Sequence, residues 1–422
     1  MKEILERSTL RLPSGWKWLL ALFVALGVIM FVVGLASGNA QRTWQAFLIN
    51  TIFWGGMAQA GVMLAVIWQI TDAKWGRPFK RLAEGFGAFL PVAFIAFVMV
   101  ALFGAKYLYE WVQHPMHEKA AYLNVGFFAT RNILGLLILF GSSYWFVKTS
   151  VMPDLAEAQK LMPGWGGNFA ARWLKGYDSS RHEAEIVRLE LRSRRLAPAL
   201  GILYAFIISL VAFDYVMSLD QEWYSTLFGV YTFIGHLYSA LTLMLIIVAV
   251  TRKMHGLAEY MTLTRYGDLA KLTFAIAMLH SYMAFSQYLV IWYSNLPEEA
   301  PFLVIRSIER TPWYPLFWTL FVVLFLFPFV GLLSRTVCRN PNVMTAFAAI
   351  LWLGMWWANY LHIVPSIQRS HGGEYHFLFG LPEILLTLGF GGAFFLCFFT
   401  FMSKVPVLPV SDKHLCKSWH GH

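Results

Sequence analysis

Seven side chains able to take, hold or pass a proton stand inside otherwise apolar runs: Arg131, Asp214, Tyr231, His236, His280, Gln287 and Glu383. An ionisable group is costly inside a bilayer, so each one is a functional candidate by default. Arg131 keeps its proton in a protein and must find an acceptor or water. Asp214, one apolar run later, is the nearest carboxylate by depth. The two read equally as a structural ion pair and as part of a quinone site or proton path. His236 and His280 fall near the middle of consecutive runs, about 18 Å from one end at ~1.5 Å per residue. A buried neutral imidazole relays protons near neutral pH. Gln287 follows His280 by seven residues and shares its helix face. Tyr231 and Tyr238 bracket His236. Arg131, His236 and His280 are also the candidate quinone-binding groups. Two facing histidines would suit a b-type haem, but a di-haem cytochrome wants a second pair, and His362 has no evident mate at its depth. An interhelical hydrogen bond is the competing reading for both histidines.

No catalytic group and no metal site is expected. Cys338, Cys397 and Cys416 include no CxxC pair and no CxxCH, so neither covalent haem nor an iron–sulfur cluster is expected here. Their placement, one in an apolar run and two in basic loops, argues against disulfides.

Only membrane helices can hold such groups. Of 422 residues, 58% are hydrophobic and 13% charged, against about 25% charged in a soluble domain. The mean hydropathy is +0.56. Ten stretches are long and apolar enough to span: Trp16–Ser37, Trp44–Ile70, Leu82–Tyr107, Tyr122–Val147, Leu196–Met217, Tyr224–Val250, Leu269–Trp292, Tyr314–Leu333, Val343–Val364 and Leu381–Met402. None alternates as a barrel strand would, so the expected class is all-α, with every backbone group satisfied within its helix. The first stretch is too long, and lacks the cleavage site, for a signal peptide.

Alternate loops hold 26 and 6 Lys and Arg residues, with Arg131 inside a span. By the positive-inside rule both ends are expected in the cytoplasm, and the net charge of +10 is topogenic rather than a nucleic-acid footprint. The longest loop, 148–195, holds a Gly-rich turn at Gly164–Gly167 and a charged segment, Arg181–Arg195, expected to form a cytoplasmic helix or a solvated connector. The cytoplasmic half of the spans offers Gln69, Ser142, Ser143, Tyr144 and Tyr204 but no evident buried carboxylate, so a complete proton path would need internal water.

The third and seventh spans start alike, Leu82-Ala-Glu84 and Leu269-Ala-Lys271, and end in aromatic and polar residues. This suggests a parallel duplication within one membrane domain of 1–422: spans 2–5 (44–218) and 6–9 (224–365) as two four-helix bundles, with spans 1 and 10 peripheral.

Two longer motifs sharpen the reading. Asp214-Tyr-Val-Met-Ser-Leu-Asp-Gln-Glu-Trp-Tyr-Ser-Thr-Leu-Phe-Gly-Val-Tyr resembles the NrfD/PsrC-related membrane subunits of alternative complex III. Ser281-Tyr-Met-Ala-Phe-Ser-Gln-Tyr-Leu-Val-Ile-Trp-Tyr-Ser-Asn-Leu-Pro-Glu-Glu is similar to their shorter F-type branch (ActF). The matched positions are Asp214, Ser218, Trp223, Ser225, Thr226, Gln287, Glu298 and Glu299. Tyr215 stands where the family usually has Trp, and Asp220-Gln-Glu222 where it often has Pro-His. The resemblance implies a multi-pass subunit of a quinol:electron acceptor oxidoreductase in a bacterial inner membrane, contributing to proton translocation or to the scaffold. Its partners would be a second NrfD-like subunit, an iron–sulfur subunit like molybdopterin enzymes, multihaem cytochrome c subunits and lipids. Haem c and iron–sulfur clusters would lie in those partners, and quinone binding by this chain stays open. The competing functions are a quinone-binding anchor of another NrfD-type oxidoreductase and a secondary transporter, for which Pro91 and Pro328 are candidate kinks.

Overall fold

A computed structural model describes residues 2–254, 256–308, 311–372 and 375–412. Cys416 lies outside them; Cys338 and Cys397 are free thiols. The described residues form helices and turns without a strand. Ten helices are long and apolar enough to cross a membrane: α1 (Ser14–Ala36), α2 (Ala40–Ile70), α3 (Lys74–Leu108), α4 (Val125–Leu161), α5 (Ser179–Leu219), α6 (Phe228–Met254), α7 (Leu263–Ser294), α8 (Tyr314–Gly331), α9 (Pro341–Ser370) and α10 (Leu381–Met402).

Polar ties across distant loops sort the helix ends onto two sides. On the basic side Val407 donates to Ser8, and Arg77 reaches Asp412. On the opposite side Arg42 reaches Glu383, Lys119 the Gln221 carbonyl, and Arg369 Asp220.

α2 is the central helix. It packs on α3, α5, α6 and α10 and is almost wholly buried, so it can carry Asn50, Thr51 and Gln59. α1 is the most apolar span and the least buried, as expected where lipid replaces protein as neighbour. It pairs chiefly with α10, where glycines let the backbones close: a Cβ on Gly27 would lie 2.8 Å from the Gly389 Cα.

Four spans contain a π-helical turn: Thr51–Gly55 in α2, Val100–Gly104 in α3, Ala212–Val216 in α5 and Val322–Leu326 in α8. Such turns widen the helix locally and recur at functional sites. Pro91 and Pro328 each open a helical segment, after a 3₁₀ turn and a π turn respectively, and neither leaves an unwound stretch at mid-depth.

The charged segment of the long loop is helical but not separate. His182–Val211 is one α-helix, so α5 runs unbroken from the loop into the core, and α4 likewise extends to Leu161. The Gly-rich turn is real, with positive φ at Gly164, Gly166 and Gly167. After α10 the chain continues as a strap, residues 405–411, beneath the basic ends; it is buried up to Val410, which packs with Leu5 and Ala158.

Candidate functional site

The candidate residues fall into three layers. On the opposite side Asp214 sits, fully buried, in the π turn of α5. Arg131 of α4 grips it with two hydrogen bonds, Nε to Oδ2 at 2.8 Å and Nη2 to Oδ1 at 2.7 Å. Asn132 donates to Oδ2 at 2.6 Å and the Tyr122 hydroxyl to Oδ1 at 3.0 Å. The Arg131 guanidinium lies 4.0 Å from the Tyr122 ring centroid and 4.4 Å from that of Phe127. Just outside the span, Tyr122 has its hydroxyl pushed up to about 12, by burial first and the Asp214 charge second. Two adjacent helices thus supply a bidentate, charge-assisted clamp, closed further by neutral donors.

The middle layer belongs to α6, α7 and α9. His236, His280 and His362, with Tyr231, line a cavity of about 20 Å³ together with Ile52, Val216, Thr232, Gly235, Met355 and Asn359. Ile52 and Val216 come from the π turns of α2 and α5. The Tyr231 ring stacks on His280 at 4.5 Å, and its hydroxyl pairs with His362 Nε2 at 3.0 Å. His236 lies against α2 where Gly56 leaves room; a Cβ there would come within 2.3 Å of the imidazole. Neither nitrogen of His236 has a partner, nor have His280 Nε2, His362 Nδ1 or the Tyr238 hydroxyl, all of them buried. The space suits about one water molecule, which needs ~10–15 Å³ and several polar partners. His362 thus joins the same centre through Tyr231. α9 runs on to Ser370, which carries His362 deeper than a span ending at Val364 implies.

The third layer corrects another expectation. The basic-side half does contain buried carboxylates, Glu84 and Asp154, both with no exposed surface. Arg81 binds both: Nε reaches Asp154 at 2.5 Å, and Nη1 reaches Glu84 and the Ser150 hydroxyl, the latter at 2.8 Å. The strap completes the cluster, with the Ser411 amide and hydroxyl donating to Asp154 at 2.7 and 2.5 Å. Beside it a cavity of about 240 Å³, lined by Lys80, Arg81, Ser150, Glu190, Ser193 and Asp412 among others, lies at the basic end. Between this layer and the histidines, Gln59 of α2 pairs with Ser143 of α4 at 2.8 Å.

Glu383 and Gln287 stand apart from these layers. Glu383 accepts two bonds from Arg42 and one from the Gly380 amide, which caps α10. Gln287 is partly buried, with an unpartnered Nε2, and does not line the histidine cavity.

The Arg131 guanidinium is paired with Asp214 and covered by two rings, and its Nη1 has no partner.

Sequence reasoning missed Arg81, Glu84, Asp154, Asn132 and Tyr122. The usable signal was Met152-Pro-Asp-Leu: no glycine interrupts the chain between the fourth span and Pro163-Gly164, so Asp154 belongs to the helix. No family model matches the chain, and no curated protein matches it.

Proposed function

We propose that the chain is an integral membrane subunit of alternative complex III, a quinol:electron acceptor oxidoreductase of the bacterial inner membrane, of the F-type NrfD/PsrC-related branch. In this reading it carries protons while partner subunits hold the haems and iron–sulfur clusters. The observation that supports it best is the histidine centre: two buried imidazoles and a partly buried third, with free nitrogens, around a water-sized cavity, with buried carboxylates toward each end. Imidazole with internal water is the side-chain chemistry suited to passing protons at neutral pH. The helix packing agrees with two bundles, since α2 to α5 touch in succession and α5 returns to α2, and α6 to α9 do the same. The basic side would face the cytoplasm.

The test starts with a tagged chain from its native host. Recovery with a multihaem cytochrome, an iron–sulfur subunit and a second NrfD-like subunit is expected. Recovery alone rejects the respiratory reading and favours a transporter. The assembled complex is then placed in proteoliposomes. His236→Phe is expected to keep electron transfer and lower the proton-to-electron ratio; an unchanged ratio rejects the proton role.

A further inference from the structure

We propose that Arg306, in the short helix Ala300–Ser307 between α7 and α8, positions His362 by completing the turn of α9 that Pro365 leaves open. This rests on the reading of the histidine centre as the proton-handling site. Pro365 has no N–H, so the carbonyl four residues earlier, at Leu361, loses its helical donor. A carbonyl left unpaired inside a membrane protein is costly. Arg306 supplies the donor, its Nε reaching the Leu361 oxygen at 2.9 Å. Its Nη2 continues to the His362 oxygen at 3.1 Å and the Ser366 hydroxyl at 2.7 Å, and Ser366 in turn donates to the His362 oxygen at 2.9 Å. One planar fork therefore fixes two successive carbonyls of the turn that bears His362, which a lysine ammonium cannot do.

The guanidinium is itself held in place. It lies 3.7 Å from the Phe302 ring centroid, and Phe302 stacks on Trp223 at 3.7 Å and 4°. Arg306 is 2% exposed, and none of the ion pairs among the described residues involves it. Burial pushes it down to about 9, with the more distant Asp220 pulling the other way, so it stays charged at neutral pH. A buried cation with no carboxylate against it among the described residues, spent on the backbone that bears His362, is placed for that histidine rather than for an ion pair.

The test uses the full chain in lipid nanodiscs with ¹⁵N-labelled histidine, the His362 signal being assigned by its loss in His362→Asn. The unsubstituted protein should give one hydrogen-bonded Nε2 signal. Arg306→Met should split or shift it, and Arg306→Lys should not restore it. Pro365→Ala combined with Arg306→Met should restore it, because the amide regained at position 365 closes on Leu361. An unchanged His362 signal in Arg306→Met, or no recovery in the double variant, overturns the proposal. If Arg306→Met alone does not accumulate, accumulation of the double variant supports the proposal and its failure to accumulate overturns it. The spectrum needs no electron transfer, so the Arg306–His362 coupling is judged separately from proton translocation.

Discussion

Asp214 and His236 are both buried polar groups in the membrane-spanning core, and they are treated in opposite ways. Asp214 receives Arg131 twice, Asn132 and Tyr122, and four donors fill what its two oxygens can accept. His236 receives nothing at either nitrogen. The Asp214 carboxylate is saturated, although Arg131 Nη1 and Asn132 Oδ1 beside it have no partner, whereas the His236 imidazole has been desolvated without compensation. In the proposed reading Arg131–Asp214 holds α4 against α5, and the histidine centre is where a proton is accepted. The basic-side cluster falls between the two, because Arg81, Ser150 and Ser411 satisfy Asp154, while one Glu84 oxygen has no partner.

The comparison is broken most directly at Arg131. Arg131→Met leaves Asp214 buried and unpaired and is expected to cost about 3–5 kcal/mol, read as a large fall in thermal unfolding temperature in detergent. Adding Asp214→Leu should return most of that loss. An Arg131→Met protein as stable as the parent removes the lock. A smaller change is expected at the strap: Ser411→Ala deletes one of two donors to the Asp154 oxygen and should cost roughly 1.5–3 kcal/mol, typical of a bond to a charged group.

His236→Phe sharpens the other half of the contrast. It removes no hydrogen bond and nearly conserves volume, so its cost should stay below about 1.5 kcal/mol. Its effect should appear in the proton-to-electron ratio instead. A loss of stability as large as that of Arg131→Met would make His236 structural. The smallest effect concerns Tyr122. Its raised value favours the protonated hydroxyl in the folded protein, so its contribution is complete below pH 10 and fades as pH rises through about 12. The phenolate absorbance missing from Tyr122→Phe should therefore appear later than that of an exposed tyrosine.

The ten spans were legible because lipid enforces hydropathy; α10 has the predicted bounds and α1 differs from prediction by only a few residues. Arg131, Asp214, His236 and His280 were legible because each interrupts an apolar run. Glu84 and Asp154 were not, because Glu84 stands at the first turn of its predicted span, where a charge reads as interfacial, and Asp154 fell in the predicted loop. Only tertiary packing, with the strap folded beneath α3 and α4, buries them. Arg306 was counted only among the six basic residues of the opposite loops, since its role depends on a carbonyl of α9 that Pro365 releases. Periodicity reports which face of a helix is apolar. It does not report which distant backbone group lacks a partner.

The strap also bears on synthesis. Asp154 emerges with the fourth span, yet Ser411 follows it by 257 residues, after all ten helices have been translated. Until then the Asp154 oxygen facing the strap has only water to bond, and the basic ends of α3 and α4 cannot close over it. A nascent chain halted between the end of α10 and the strap would hold every span and still display an open, charged seam at the basic ends of α3 and α4. The strap thereby makes its own synthesis a physical condition for closing α3 and α4 over Asp154.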